Sequence, residues 1–594
     1  MADDLPRFPG QEELEKELSE YLSKKYGYRI KVISPMMMPQ AKEAPESTQK
    51  SSGGSNRIQF NMKPEELESY LNQYAIKQND AKAVLATKIC THYNRIKYQQ
   101  RRERHGNEAF VGRIKNNILL IGPTGVGKTY LIKLIAQKLG VPFVKGDATK
   151  FSETGYVGGD VEDLVRELLV DAEDDIELAQ CGIIYIDEID KIASSQHLLG
   201  PDVSRTGVQR ALLKPMEETE VDIKVAHDPI SQLQALEQFR KTGKREKKAV
   251  NTRDVLFIMS GAFNGLAAIV KNRMQKQGIG FGAQLQSKGD DYKFLAHVKA
   301  EDLIAYGFES EFIGRLPVIA VLEPLEVEDL RQILENPNNP VILGKKEDFR
   351  SYGIDIRFEE EALRVIAERA YEEKTGARGL VSVLERVLLP YEKKLPSSLV
   401  QYVVITKEVV LNPEEELRRL LEKPDDPERL SRYQSIMEAE KRGIREQVLK
   451  REKHYVENYP LVFSPERVEL VVEHHVRTGL PVEGIFDEVI LLYNQVKVFE
   501  SDFYDKFRFQ IHFDDEAVDA IIAKSLERDT NATAVCLEVS RDFDYGFKLI
   551  SDRTGQTRFE LPWKAVLHPE VYIDELIREN YRQFPPDLSK VKKE

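Results

Sequence analysis

The stretch that decides the fold is "NILLIGPTGVGKTYLIKLIAQKLG", residues 117–140. A short apolar run, "ILLI", precedes a glycine-rich turn, and apolar residues at helical spacing then continue to Gly140. A strand, a GxxxxGK[ST] turn and a helix in this order form a phosphate-binding loop, because the glycines let backbone N–H groups and the helix N-terminus face an anion. The sequence therefore predicts a nucleotide site at this turn.

Within the turn, the Lys128 ammonium is expected to contact the β and γ phosphates, and the Thr129 hydroxyl is expected to ligate Mg²⁺. A second strand, "IIYIDEID", ends in two acids, of which Asp187 is suited to hold Mg²⁺ and Glu188 to activate a water. The two motifs together predict that ATP is bound and hydrolysed, with ATP and Mg²⁺ as cofactors. The predicted nucleotide-binding residues of the turn are Gly122, Pro123, Thr124, Gly125, Val126, Gly127, Lys128 and Thr129.

Further short apolar strands, "VPFVKGD", "DVLFIMS" and "LPVIAVL", alternate with helical stretches. This alternation is typical of an α/β fold with a parallel sheet. After Pro324 the pattern becomes mostly helical, and 411–458 is charged enough to predict a solvated helical connector. The predicted units are a short N-terminal unit (1–33), a flexible linker (34–61), a large domain (62–323), a small domain (324–410), the connector (411–458) and an α+β C-terminal extension (459–594).

A weak internal repeat links the small domain to the extension. The segment 356–378 resembles 511–533, and both read as an apolar strand, an acidic cap and an amphipathic helix. Two capped helices can match by chance, so this alternative stays open. If the repeat is real, the extension is a degenerate copy of the small domain, with Thr533 at the position of Arg378.

Composition limits the classes of protein to consider. The 594 residues are 41% hydrophobic and 31% charged, and they include no 18-residue apolar run, so no membrane span or membrane partner is expected. A net charge of −13 argues against nucleic-acid partners. The three cysteines lie far apart and have no zinc-binding spacing, and the acidic N-terminus is not a signal peptide. A reducing, cytoplasmic location and no zinc are the expectations.

From about residue 64 to 400 the chain resembles the AAA+ unfoldases of the ClpX family. The motifs that carry the resemblance are the phosphate loop, "SETGYVGGDVEDLVRELL", "GIIYIDEIDKIASS", "GVQRALLKPMEE", "EFIGRLPVIAVLEPL" and "KTGARGL". The resemblance implies an AAA+ module, with a P-loop large domain and a mostly helical small domain. It also implies a homo-hexamer that unfolds proteins and threads unfolded or tagged substrates through a central pore, as the ATPase and specificity subunit of a ClpP-type protease.

The resemblance also assigns roles to two arginines and an apolar residue. Arg315, in "EFIGRLP", matches the arginine that reaches a neighbouring subunit's γ-phosphate, and Arg378, in "GAR", matches the sensor arginine of the small domain. Without the motif context, each arginine is more often part of a surface ion pair. Ile76, in "YAIKQ", is expected to wall the adenine, although Lys77 stands where the family has glycine.

Two loops are predicted from the same resemblance. Tyr156 and Val157, in "GYVG", match the pore loop that grips substrate. Ile279, Gly280 and Phe281, in "GIGFG", match the loop that docks into apolar pockets of ClpP. A loop aromatic without function, and a loop folded back on its own domain, are the respective alternatives.

The chain departs from the family at several places. It has no cysteine before Cys90, so we expect it to lack the family's four-cysteine zinc domain, and its C-terminal region is not part of the usual architecture. A basic cluster, Lys241–Lys248, lies where the family has a pore-entrance loop, and Ser260 is a weak candidate for the sensor on the fourth strand. These departures keep two alternatives open: a stand-alone remodelling chaperone without a peptidase, and a non-enzymatic ATP-binding scaffold. The sequence shows no defensible peptidase motif.

Overall fold

The computed structural model describes residues 62–104, 115–151, 160–193, 203–223, 249–277, 291–458, 463–541 and 543–583. The N-terminal unit and linker, the predicted pore residues Tyr156 and Val157, the basic cluster 241–248, and the predicted docking residues 279–281 lie outside this part of the chain. Those predictions therefore remain predictions.

The large domain is built around a five-stranded parallel sheet, as the sequence predicts. The five strands are β1 (Ile118–Ile121), β2 (Phe143–Asp147), β3 (Ile183–Asp187), β6 (Leu256–Gly261) and β7 (Val318–Val321). Their order in the sheet is β2-β3-β6-β1-β7, and β4 (Glu220–Asp222) forms a separate antiparallel pair with β5 (Ala249–Asn251). Since the strands are parallel, the carboxyl ends of β1, β3 and β6 meet at one edge, where a ligand site is expected.

Helices cover both faces of the sheet. On β1, Ile118 and Leu120 join one buried core, while Leu119 and Ile121 join another. A strand buried on both faces reads as a continuous apolar run, which explains "ILLI". The large-domain helices are α1 (Pro64–Tyr74), α2 (Asn79–Arg104), α3 (Lys128–Leu139), α4 (Val161–Asp171), α5 (Ile176–Ala179), α6 (Val203–Met216), α7 (Leu266–Gln277), α8 (Asp291–Leu295), α9 (Ala300–Tyr306) and α10 (Ser310–Gly314).

The small domain is mostly helical and carries one parallel pair of strands, β8 (Asp355–Phe358) and β9 (Tyr402–Ile405). Its helices are α11 (Val327–Glu335), α12 (Pro340–Arg350), α13 (Glu360–Glu372), α14 (Ala377–Lys394) and α15 (Lys407–Leu411). Its apolar side chains share a core with one face of the large-domain sheet. The two domains are therefore packed together in this arrangement.

Beyond the small domain the chain continues as α16 (Pro413–Glu422), α17 (Pro427–Lys450), α18 (Glu452–Asn458), α19 (Pro465–Thr478), α20 (Val482–Phe507), β10 (Gln510–Phe513), α21 (Asp515–Arg528), α22 (Ala532–Val539), α23 (Phe543–Thr554), β11 (Arg558–Leu561), α24 (Trp563–Leu567) and α25 (Pro569–Gln583). The elements from α17 onward have their own apolar core, which includes Ile444 and Val448 of α17, whereas Leu417 and Leu420 of α16 join the core of the small domain. Helix α17 is therefore packed along one face rather than solvated all round.

The repeat predicted from sequence corresponds to a similar order of elements. In the small domain a strand, two helices, a second parallel strand and a short helix follow one another, and in the extension three helices stand between the two parallel strands. The interval from Asp355 to Gln510, where the first strands begin, equals the interval from Ala377 to Ala532, where the second helices begin. We therefore retain the prediction that the extension is a degenerate copy of the small domain. No helix in the described part of the chain is long and apolar enough to cross a membrane.

Candidate functional site

The phosphate loop lies in close contact with the small domain. Gly125 and Gly127 have φ values of 77° and 95°, in the left-handed region that favours glycine. A Cβ atom on Gly125 would lie 2.0 Å from the carbonyl oxygen of Thr375. The Ala377 amide donates to the Gly125 carbonyl at 2.9 Å. Glycine is thus needed at position 125 both for the curl of the loop and for the approach of the small domain.

Lys128 opens α3 and turns its ammonium back over the loop. Its Nζ atom donates to the carbonyl oxygens of Gly122 at 2.6 Å and Pro123 at 2.9 Å. Burial lowers the pKa of Lys128 below the ordinary lysine value, although the carboxylates of Asp187 and Asp190 oppose this. A partly buried cation whose hydrogen bonds go to neutral carbonyls gains from an anion nearby, so the loop fits the phosphates of a nucleotide.

The metal side of the site joins α3 to β3. The Thr129 hydroxyl lies 3.4 Å from Asp187 Oδ2, so the two predicted Mg²⁺ ligands come together. Hydroxyl and carboxylate oxygens form the donor set that Mg²⁺ prefers. When bound, Mg²⁺ would neutralise charge on the phosphate oxygens.

Three strands fix the position of the Asp187 carboxylate. Ser260, on β6, donates to Oδ1 at 2.6 Å, and the Lys145 ammonium, on β2, lies 3.1 Å from Oδ2. Although burial favours the neutral acid, these two partners hold the pKa of Asp187 below its ordinary value. The carboxylate is therefore kept ionised and oriented for a metal.

A chain of hydroxyls lies behind this carboxylate. Tyr185 OH is 2.6 Å from Ser260 Oγ and 3.0 Å from Thr129 Oγ1. Since a carboxylate only accepts, protons placed in the order Thr129 to Tyr185, Tyr185 to Ser260 and Ser260 to Asp187 satisfy every group. This order leaves the lone pairs of Thr129 available to a cation.

Glu188 adopts an unusual backbone conformation, with φ 57° and ψ 32°. A left-handed conformation at a non-glycine residue costs about 1–2 kcal/mol, and such residues cluster at functional sites. The Glu188 amide donates to Asp187 Oδ1 at 3.1 Å, while its exposed side chain lines the cleft beside the phosphate loop. This position suits a base that acts on water close to the phosphates.

The cleft of about 490 Å³ has walls from both domains. One end is apolar and includes Ile76, Leu325 and Val341, which suits a purine ring. The other end is formed by the phosphate loop and the acids of β3. Arg378, on the first turn of α14, lines the cleft from the small-domain side, as its sequence position predicts.

Lys77 and Gln78, next to the adenine end of the cleft, form hydrogen bonds with residues 323–329, where the two domains join. Lys77 has φ 59°, so it occupies a left-handed position, which explains why the family has glycine there. Its ammonium donates to Asp329 at 2.8 Å and to the Pro324 carbonyl at 3.0 Å. The Gln78 side chain makes two hydrogen bonds to the backbone of Glu323. The substitution therefore keeps the backbone conformation and adds an inter-domain contact.

Arg315 is not among the residues that line this cleft. It caps the C-terminus of α10 and forms an ion pair with Glu217, with about half of its side chain exposed. The structure thus brings together Lys128, Thr129, Asp187, Glu188 and Arg378, and leaves Arg315 apart from them. An arginine that acts on a neighbouring subunit is expected outside the cleft of its own chain.

Sequence reasoning missed Lys145 and Tyr185 and gave Ser260 only weak support. Tyr185 and Ser260 are hydroxyl side chains within otherwise apolar, fully buried strands. A buried hydroxyl needs a partner, so this signal was available. Lys145 is an exposed residue on an edge strand, and its sequence context gives no comparable signal.

Comparisons with known proteins identify the family of the chain. The family model "AAA domain (Cdc48 subfamily)" matches residues 113–319, and the model "C-terminal, D2-small domain, of ClpB protein" matches residues 325–395. Two curated relatives, from Borrelia duttonii (strain Ly) and Borrelia recurrentis (strain A1), are both described as "ATP-dependent Clp protease ATP-binding subunit ClpX". Each is 42% identical over 352 residues, which is 59% of this chain and 78% of the relative. The chain therefore belongs to the ClpX family of AAA+ ATPases, as an ATP-dependent Clp ATPase subunit that uses ATP and Mg²⁺.

Proposed function

We propose that this ATPase subunit is a cytoplasmic protein unfoldase and translocase that works with a ClpP-type peptidase. In this proposal a homo-hexamer threads unfolded or tagged proteins through its central pore. ATP hydrolysis drives the threading, and peptide cleavage takes place in the partner. Membership of the ClpX family supports the proposal.

The observation that carries it is that one cleft takes its walls from both ATPase domains. Lys128 and Glu188 contribute from the large domain and Arg378 from the small domain. Hydrolysis of the γ-phosphate therefore changes contacts with both domains at once. Contacts of this kind drive domain closure around a ligand. Arg315, outside its own cleft, is proposed to complete the site of the next subunit.

Two loops of the chain are proposed to contact the substrate and the peptidase. Tyr156 and Val157 are proposed to grip substrate in the pore, because an aromatic ring flanked by glycines contacts many sequences. Ile279, Gly280 and Phe281 are proposed to dock on the peptidase. Several weak apolar anchors on one ring add up through multivalency.

The test separates the two loops. Purified protein, ATP and the ClpP of the same organism would be mixed with a tagged, stably folded fluorescent reporter, and ClpP binding would be followed by sedimentation in the same samples. We expect Phe281→Ala to lose ClpP binding and reporter degradation while it keeps ATP hydrolysis. We expect Tyr156→Ala to keep ClpP binding and lose degradation.

The matched variants make the outcomes distinct. Normal degradation by both variants would refute the two loop assignments. ATP hydrolysis by the wild type without any ClpP binding would refute the peptidase partnership and favour a stand-alone remodelling chaperone. Wild-type protein that neither hydrolyses ATP nor changes the reporter would refute the proposal as a whole.

A further inference from the structure

The junction of α19 and α20, residues 475–483, belongs to the C-terminal extension but contacts both ATPase domains. It is called the turn below. On the small-domain side, the Arg350 guanidinium donates to the Val476 carbonyl at 2.8 Å. Gly479 has φ 77°, and a Cβ atom there would lie 3.3 Å from Arg350 Nη1. A hydrogen bond of 2.7 Å between His475 Nδ1 and the Leu480 carbonyl closes the turn. The turn is thus held tightly against α12.

On the large-domain side, the same turn presents Glu483. Its carboxylate accepts from Gln73 Nε2 at 2.7 Å and lies 3.2 Å from the Lys138 ammonium. The Glu483 side chain is only 8% exposed. A charge this buried is retained only when it is paired, so these contacts constrain all three groups. Eight residues along the chain, from Val476 to Glu483, therefore span from one ATPase domain to the other.

The partners of Glu483 lead directly to the nucleotide cleft. Gln73 precedes Tyr74 and Ile76, which line the adenine end, and its carbonyl accepts from the Asn336 side chain of the small domain at 2.8 Å. Lys138 lies in the last turn of α3, the helix that starts at the phosphate loop. The Glu483 carboxylate therefore contacts both elements that frame the two ends of the nucleotide.

We propose that Glu483 is a positioning residue for nucleotide binding, which holds α1 and α3 at the spacing that the bound nucleotide requires. Through this contact the extension would set the nucleotide affinity of a site to which it contributes no ligand. The proposal concerns ATP binding alone and does not depend on the unfoldase function.

Two tyrosines of α1 lie close to the pair that Lys138 and Glu483 form. The Lys138 ammonium lies 4.7 Å from the centre of the Tyr70 ring, and the Tyr70 and Tyr74 rings are 4.9 Å apart. Burial, followed by the negative charge of Glu483, raises the pKa of Tyr70 to about 12. The pair formed by Lys138 and Glu483 therefore lies beside the C-terminal half of α1.

The experiment measures nucleotide affinity and turnover separately in the full-length chain. In Glu483→Gln the amide retains a hydrogen bond to Gln73 and loses the charge that pairs with Lys138. We expect the Kd for a fluorescent ADP analogue and the KM for ATP to rise roughly fivefold to tenfold, since hydrogen bonds to charged groups are among the stronger ones. The kcat at saturating ATP is expected to stay within about twofold, because no group that acts on the phosphates is changed.

A matched control lies inside the extension. Asp519 forms a similarly buried pair with Arg467, 2.5 Å from its Nε atom. Asp519→Asn is expected to lower thermal stability and leave the nucleotide Kd unchanged. Wild-type Kd and KM in Glu483→Gln, or an equal loss of affinity in Asp519→Asn, would overturn the proposal.

A second variant keeps the test decisive if Glu483→Gln does not fold. Lys138 is 32% exposed, so Lys138→Gln is expected to fold and to weaken ADP binding severalfold with kcat retained. An unchanged Kd in folded Lys138→Gln would contradict the proposal in that case. Where both single variants fold, the double variant is expected to bind ADP with the same Kd as Glu483→Gln. The two changes break the same interaction, so their effects on binding should not add.

Discussion

The hydrogen bond from Ser260 to Asp187 offers the sharpest test of the site's geometry. Ser260→Ala removes a 2.6 Å donor from a carboxylate and leaves the contacts with Lys145 and the Glu188 amide in place. A hydrogen bond to a charged group contributes about 1.5–3 kcal/mol. A loss of about 2 kcal/mol corresponds to a roughly 30-fold fall in kcat/KM for Mg²⁺·ATP. The fall in kcat/KM is measured from the rate of phosphate release at varied Mg²⁺ concentration.

The same variant is expected to change the pH dependence in a defined direction. The pKa of Asp187 is held below its ordinary value, so the stabilisation from its ionised form is present above the unfolded pKa of about 4 and is lost as pH falls through the folded pKa. Without Ser260 the pKa of Asp187 rises. The acid limb of the pH profile for ATP hydrolysis should therefore move to higher pH.

Two further variants calibrate this prediction. Tyr185→Phe removes the hydroxyl behind Ser260 and leaves the Ser260–Asp187 bond, so a smaller loss of about 1 kcal/mol, roughly fivefold, is expected. Ser525 is an equally buried serine in the extension that donates to the Ile521 carbonyl at 2.8 Å. Ser525→Ala should leave ATP hydrolysis unchanged. If Ser260→Ala matches Ser525→Ala in kcat/KM and acid limb, the reasoning is wrong.

Three other changes test the remaining parts of the site. Glu188→Gln should bind ATP tightly and hydrolyse it at least about 10²-fold more slowly, and wild-type turnover would rule out Glu188 as the base. Arg315→Ala should lose roughly 10³-fold in turnover when alone. It should regain activity when mixed with Glu188→Gln subunits, because an Arg315→Ala subunit then receives an intact Arg315 from its Glu188→Gln neighbour. No recovery in the mixture would argue against a contribution between subunits. Gly125→Ala places a Cβ atom 2.0 Å from Thr375 O and should abolish the rise in Tm that ADP causes, whereas Gly140→Ala, with φ 64° but nothing within 4 Å, should cost about 1 kcal/mol and keep that rise.

The parts of the fold that could be predicted from sequence are those with local signals. The phosphate loop can be predicted because a buried strand, a glycine turn and an amphipathic helix follow one another within residues 117–140. The inner strands β1, β3 and β6 read as short apolar runs because they are buried along most of their length. Gly140 ends α3 in a left-handed conformation, as a glycine after the last apolar residue predicts.

The parts that escaped prediction depend on which strands become neighbours. Lys145, Asp187 and Ser260 meet because β2, β3 and β6 lie side by side, and nothing local to any one strand states that order. The contact between Gln73 and Glu483 joins residues 410 positions apart. Contacts of this kind follow from how whole domains pack, so a single sequence carries no pattern for them.

Contacts between the two ATPase domains flank the nucleotide cleft, and they limit what a bound nucleotide can do. The Ala377–Gly125 hydrogen bond and the Lys77–Asp329 ion pair both cross between the two domains. At about 1 kcal/mol each, they favour this arrangement by about 2 kcal/mol. A ligand shifts such a balance only through its difference in affinity for the two arrangements, here about 30-fold. Glu483 adds a contact on the same side of this balance, so its loss should appear first as weaker nucleotide binding and only then as slower chemistry.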